Sequence, residues 1–139
     1  MKKASLILAL LGALYLSFDF YVNVGYYGYK LNQNGFQGSA IKVWQLGASA
    51  GDDESIYRLG IAYWAGNDVE ENYDKAFSLL KQVKYLDPKT VKFYEYALAD
   101  IYIYKGNLAK AKEMLKVLCS KNLEEACTRL SQVAANEKV

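Results

Sequence analysis

The sequence contains no histidine among its 139 residues, a single proline and only 2 cysteines. Without histidine, the chain lacks the commonest general base and metal ligand, so Ser-His-Asp and Cys-His mechanisms are excluded. The lone Pro88 favours helices, because proline breaks their interiors. Lys and Arg number 17 against 15 Asp and Glu, with no basic stripe, so nucleic acid is not the expected partner.

The N-terminal segment is strongly apolar. Lys2 and Lys3 precede the run Ala4–Leu16, in which Ser5 is the only polar break, and this pattern is typical of an export signal. No small-x-small cleavage site follows Ser17. The tyrosines beyond it resemble an interfacial aromatic belt: Tyr21, Tyr26, Tyr27 and Tyr29.

We therefore predict that residues 1–30 form an uncleaved anchor, with a span over residues 4–25. The positive-inside rule places Lys2 and Lys3 in the cytoplasm, so the remaining chain would lie in the periplasm of a bacterial inner membrane. The alternative is a cleaved signal sequence, which would release a soluble periplasmic protein.

Asp19 and Asn23 interrupt the apolar character of this segment. Their four-residue spacing places both on one helix face. Asp19 then lies either at the outer headgroup level, because the span ends near Phe18, or against another membrane helix, where a carboxylate is costly unless it has a partner.

The middle of the chain repeats. Ala40, Ala76 and Ala111 stand 36 and 35 residues apart, and a period near 35 is typical of helical-hairpin arrays. After a linker over residues 35–38, we predict three hairpins. Their first helices begin near Ser39, near Asn72 and just before Ala111.

Turn and cap residues predict the other boundaries. Asp52 is expected to cap the second helix of the first hairpin, which Gly66 ends. Asp87-Pro88 is expected to start the second helix of the next hairpin, which ends at Gly106, and Asn122 marks the last turn.

The spaced residues of the first hairpin resemble a known family, the Sel-one-like repeat, a bacterial relative of the tetratricopeptide repeat. The matching positions are Leu59, Gly60, Tyr63, Gly66, Val69, Lys75 and Ala76. Asp68 and Asn72 depart from the family pattern, which favours Gly and Asp there. The resemblance covers about residues 36–135 and implies a short right-handed α-solenoid of about three hairpins. Family members commonly act as adaptors in envelope, secretion and signalling assemblies.

Cys119 and Cys127 flank the last predicted turn, where residues of a hairpin come together. Their spacing is similar to that in cysteine-rich members of the same family, and an exported chain permits a disulfide. The alternative is a pair of buried thiols, since cysteine is a common core residue.

Aromatic residues are the candidate partner contacts, because exposed Trp and Tyr commonly anchor protein interfaces. The candidates are Trp44, Tyr57, Trp64, Tyr94 and Tyr104. The alternative is that these residues belong to the core, as most aromatic residues at helical spacing do. The acidic turn with Asp68, Glu70, Glu71 and Asp74 does not match a calcium loop, so no metal is expected.

The sequence thus predicts an all-α, non-enzymatic protein without a catalytic, cofactor or metal site. The leading interpretation is a membrane-anchored periplasmic adaptor that binds a partner protein and no small-molecule substrate. One alternative is an accessory or assembly subunit of an inner-membrane complex, docked through Asp19 and Asn23. Another is an envelope immunity protein that covers a toxin.

Overall fold

The computed structural model describes the backbone of residues 2–136 and the side chains of residues 9–20 and 22–135. This part of the chain is helical and contains no strand, which confirms the all-α class. The helices are α1 (Lys2–Val22), α2 (Val24–Gln33), α3 (Gln37–Ser49), α4 (Asp53–Ala65), α5 (Tyr73–Leu80), α6 (Pro88–Tyr104), α7 (Leu108–Ser120) and α8 (Glu124–Asn136).

Short polar side chains start the middle helices where the sequence predicted. The Asp52 carboxylate accepts a hydrogen bond from the Ser55 N–H at 2.8 Å, and the Asn72 side chain accepts one from the Lys75 N–H at 2.8 Å. Each bond satisfies one of the N–H groups that a first helical turn leaves unpaired. Gly66 ends α4 in the left-handed conformation, with a φ of 66°.

The start of α3 differs from the prediction. The helix begins at Gln37, so Ser39 lies inside its first turn and is not the N-cap. The preceding helix α2 extends to Gln33, which reduces the expected linker to three residues around Gly35. Gly35 has a φ of 82°, a conformation that other residues adopt only with strain.

From α2 onward, each helix packs against the next one in the chain. The packing is more extensive for α4 on α5, and for α6 on α7, than for α5 on α6. The predicted pairs α3–α4 and α7–α8 do pack against each other, whereas the predicted pair α5–α6 is in less extensive contact than α4–α5. The structure also adds α2, which packs against α3 in a stretch that the sequence assigned largely to the anchor.

The repeating alanines lie in the interior of the helix packing. Ala40, Ala76 and Ala111 are all completely buried, on α3, α5 and α7. Alternate helices are also in contact: α2 packs against α4, and α4 packs against α6. Small side chains permit these approaches, and the larger residues Leu80 and Leu115 fill the remaining space.

Helix α1 contrasts with the rest, because its apolar side chains face solvent. The large apolar side chains from Leu10 to Phe20, together with Val22, are 38% to 69% exposed, and the Tyr21 side chain lies outside the described residues. Among the described residues, no helix is both long and apolar enough to cross a membrane. Residues 2–8, the first part of the expected anchor, lie outside the described side chains.

The last two helices are joined covalently. Cys119 near the end of α7 and Cys127 in α8 form a disulfide, with their Cα atoms 4.8 Å apart. The turn between them contains Asn122 in the left-handed region, at a φ of 61°. The predicted bridge is thus present, and the alternative of two buried thiols is not.

Candidate partner-binding surface

Two of the predicted contact residues belong to the core. Trp44 is 5% exposed and Tyr57 is 7% exposed, so neither can anchor a partner as expected. The Trp44 indole N–H donates to the Gly25 carbonyl at 3.3 Å, beneath helix α2. Burial also raises the pKa of the Tyr57 hydroxyl above its ordinary value of 10.0.

Tyr94 is half-buried and holds two helices together. Its hydroxyl donates to the carbonyl oxygen of Leu80 at 3.2 Å, which satisfies an acceptor at the end of α5. Desolvation by this packing raises the pKa of Tyr94 above 10.0. Its contacts are those of a structural residue.

Trp64 and Tyr104 remain on the surface, on the side of the molecule formed by α2, α4, α6 and α8. We call this side the even-helix face. Trp64 is half-buried, and its ring meets the Tyr96 ring edge-on, with centroids 5.9 Å apart. Tyr104 is 63% exposed and stacks on Tyr73, with centroids 4.6 Å apart.

Asp100 is the centre of the even-helix face. It is buried, and its carboxylate accepts from the Trp64 indole N–H at 3.1 Å and from the Arg129 Nε–H at 2.7 Å. A second guanidinium nitrogen of Arg129 lies 2.5 Å from the same carboxylate. One side chain thereby joins α4, α6 and α8, and its charge is compensated by hydrogen bonds as burial requires.

The negative charge of Asp100 affects the pKa of two neighbouring tyrosines, Tyr73 and Tyr96. Burial is the largest cause that raises the pKa of Tyr73 and Tyr96 above 10.0, and the Asp100 carboxylate raises both further. Both hydroxyls therefore stay protonated at neutral pH and remain available as hydrogen-bond donors.

Beside this network, α6 and α8 enclose an open groove of about 610 Å³. Tyr96 and Asp100 form one wall, and Glu125 and Arg129 form the other. A groove of this size accepts side chains of an extended segment, and its aromatic and charged walls offer both stacking and hydrogen bonds.

Sequence reasoning missed most of this face. Tyr96, Asp100 and Tyr104 recur every four residues on α6, a spacing that places them on one helix side. That stripe was visible in the sequence. The pairing of Asp100 with Arg129 was not, because 29 residues separate them and only the helix packing brings them together.

Asp19 and Asn23 share a helix face, as predicted. The Asn23 side-chain amide donates to Asp19 Oδ1 at 3.0 Å, and the Tyr27 hydroxyl donates to the other carboxylate oxygen. Both oxygens of Asp19 thus have donors from the same chain. A contact with another membrane helix stays a prediction.

The acidic turn after α4 forms no metal site among the described residues, where no group of three or more potential ligands converges. Asp74 instead pairs with Lys105 at 2.5 Å, a bridge from the start of α5 to the end of α6. Asp68 has a φ of 57°, in the left-handed region.

No protein-family model matches the chain, and no curated protein or solved structure matches it either.

Proposed function

We propose that the protein is a non-enzymatic adaptor, anchored in a bacterial inner membrane by α1, that binds a partner protein in the periplasm. Helix α1 is the observation on which this rests. Its large apolar side chains occur at neighbouring positions such as Leu14, Tyr15 and Leu16, which point to different sides of a helix. A surface of this kind is stable in lipid or against another protein, and unfavourable in water.

The arrangement of the packed helices supports the second half of the proposal, the binding of a partner protein. Successive hairpins with contacts between alternate helices are the arrangement expected of a short right-handed α-solenoid, as in Sel-one-like repeats. Such arrays offer an extended side to a partner. The even-helix face supports partner binding best, because its exposed Tyr104 and half-buried Trp64 flank a charged groove.

The disulfide between Cys119 and Cys127 favours the periplasm over the cytoplasm. Disulfides persist in oxidising compartments and are rare where glutathione keeps thiols reduced. The proposed periplasmic location, the export of the chain and its membrane anchor are therefore consistent with one another.

Site-specific photo-crosslinking tests the partner-binding half. A photo-reactive phenylalanine analogue replaces Tyr104 in the full-length protein in its native membranes, and the adduct is identified by mass spectrometry. Tyr85, 82% exposed on the loop before α6, is the control position. We expect one defined adduct from position 104 and none from position 85. Equal labelling from both positions, or from neither, would contradict the proposal.

The anchor half is tested by the mass of the native protein. An uncleaved chain retains residues 1–25 and stays with the membrane after alkaline carbonate extraction. A mature N-terminus between Ser17 and Gln37 would instead support the cleaved, soluble periplasmic form.

A second function deserves a test because α1 is apolar on several sides. The protein would then be an accessory or assembly subunit that contacts another membrane helix through Asp19 and Asn23. Exchange of α1 for an unrelated single-span anchor separates the two. If the adduct at Tyr104 survives the exchange, α1 is only a tether; if it disappears, the contact lies in the bilayer.

A further inference from the structure

A small cleft lies between α2, α3 and α4, next to the even-helix face. It has a volume of about 140 Å³, and its walls include Trp44, Ile61, Arg58 and Asp68. The cleft therefore combines an apolar floor, one cationic group and one anionic group. A space of this size accepts a single side chain.

Arg58 is held in a fixed position at this cleft. One guanidinium nitrogen lies 2.6 Å from Glu54 on the same helix. The planar group also stacks on the Tyr29 ring, 4.3 Å from its centroid, and lies 5.9 Å from the centroid of Trp44. The Arg58 side chain is only 22% exposed, so these contacts reduce the rotamer freedom that it would lose on binding.

The hydrogen-bonding capacity of Arg58 is largely unused. A guanidinium carries five N–H donors, yet Glu54 provides its only ion pair or hydrogen bond in the described part of the chain. The Nε–H is buried and has no acceptor there. That nitrogen is inaccessible to a ligand, so the terminal N–H groups of the guanidinium are the donors that a side chain in the cleft would meet.

The charges around the cleft indicate which chemical group of a ligand would fit it. Asp68 lines the same cleft as Arg58, and its side chain makes no described hydrogen bond. A carboxylate ligand would be repelled by Asp68 and gain little from Arg58, whose charge Glu54 already compensates. An ammonium ligand would leave the remaining guanidinium N–H groups without an acceptor. An amide suits both side chains, because its carbonyl accepts from a guanidinium N–H and its N–H donates to a carboxylate.

We propose that this cleft binds the side-chain amide of a glutamine or asparagine from the partner protein. Arg58 donates to the amide oxygen and Asp68 accepts from the amide nitrogen, while the apolar stem lies against Trp44 and Ile61. This inference rests on the proposed partner-binding function and assigns one contact within it.

The test uses three blocked peptides, identical except for a central glutamine, glutamate or norleucine, titrated against the full-length protein in detergent micelles. The Arg58 Nε–H resonance reports binding at the cleft. We expect the glutamine peptide to shift this resonance and to bind at least about tenfold more tightly than the glutamate peptide, since a lost or repelled polar contact costs about that much. Equal binding of all three would overturn the assignment, because only main-chain amides would then be recognised.

Two substitutions sharpen the result. Arg58→Lys keeps the charge and the partner Glu54 but loses the planar donors, and should weaken the glutamine peptide about tenfold. Asp68→Asn should remove the discrimination, so that the glutamate peptide binds as well as the glutamine peptide. Glu70→Gln, in the same exposed turn but outside the cleft, is the matched control and should change neither affinity.

The possible outcomes distinguish the amide site from the proposed partner-binding function. If the partner is crosslinked from Tyr104 equally well in the parent protein and in Asp68→Asn and Arg58→Lys, the adaptor stands and the amide site falls. If the glutamine peptide binds as expected but Tyr104 yields no adduct, the amide site stands and the adaptor proposal falls. Loss of folding in Arg58→Lys, seen by circular dichroism, leaves Asp68→Asn as the deciding variant.

Discussion

Helices α1 and α2 follow each other along the chain but have opposite environments. The large apolar side chains of α1 are exposed from Leu10 to Phe20 and at Val22, whereas α2 buries Val24, Gly25 and Gly28 against α3 and α4. The more apolar helix is the exposed one, so apolar content alone does not decide which helix packs. Two glycines help α2 to pack, because their missing side chains let Asp52 and Glu54 approach at Gly25 and a neighbouring ring approach at Gly28.

Trp44 is the ring in question. A Cβ atom added to Gly28 would lie 2.2 Å from the Trp44 indole nitrogen, so the helix and the ring fit only because the side chain is missing. Gly12 in α1 has nothing within 4 Å of the same added atom. The two glycines thus offer a direct way to test the difference between the helices.

The largest effect is expected from Trp44→Ala. Loss of a buried aromatic ring costs about 3–5 kcal/mol, through lost burial and the cavity left behind. Phe18→Ala, on exposed α1, should change the free energy of unfolding by less than about 0.5 kcal/mol. Guanidinium titrations of the full-length protein in detergent measure both. Similar losses from the two variants would contradict the contrast.

Loss of the disulfide comes next, at the opposite end of the array. α8 packs on α7 and has no following hairpin within the described residues, so the bridge substitutes for a missing neighbour. Replacing Cys119 and Cys127 by alanine should cost about 2–3 kcal/mol for a loop this short. The helical circular dichroism should remain. An unchanged denaturation midpoint would show that packing alone holds α8.

Gly28→Ala should cost about 1–3 kcal/mol, because the added methyl group forces Trp44 or α2 to move. Gly12→Ala should be neutral or stabilise α1 by up to about 1 kcal/mol, since alanine favours a helix and meets no neighbour. The thermal unfolding midpoints of the two variants measure these effects. A loss in Gly12→Ala equal to that in Gly28→Ala would mean that α1 is packed as closely as α2.

The smallest effect concerns pH. Burial raises the pKa of Tyr57 above 10.0 in the folded protein, so this group contributes stability that is fully present below pH 10 and is lost as the pH rises through the folded pKa. We expect the free energy of unfolding to fall as the pH rises above 10. Tyr57→Phe should reduce that fall, whereas Tyr85→Phe, on an exposed loop, should not.

Local features of the fold were readable from the sequence. Asp52, Asn72 and Gly66 were predicted correctly because a cap depends on a few neighbouring residues and their backbone angles. The alanine period followed from spacing, and the disulfide from the position of the two cysteines around a predicted turn, the expected export and the family resemblance. These features need no knowledge of which helices meet.

The partner of each helix was harder to predict. Trp44 was a candidate partner contact because large aromatic rings commonly anchor interfaces, with the core as the alternative, and nothing within the α3 sequence shows that another helix covers the ring. Asp100 was overlooked for the same reason, since its partners Trp64 and Arg129 come from helices far along the chain. A residue's exposure is settled by its neighbours in space, and these depend on the order of packing.

The joint between α1 and α2 has a mechanical consequence. The helix is interrupted there, because Asn23, at a φ of −114° and a ψ of 21°, separates the end of α1 at Val22 from the start of α2 at Val24. Two backbone hydrogen bonds still cross the joint: the Asn23 N–H donates to the Asp19 carbonyl and the Tyr27 N–H donates to the Asn23 carbonyl, each at 3.0 Å. The direction in which α1 leaves the packed helices is therefore determined by the backbone angles of a single residue.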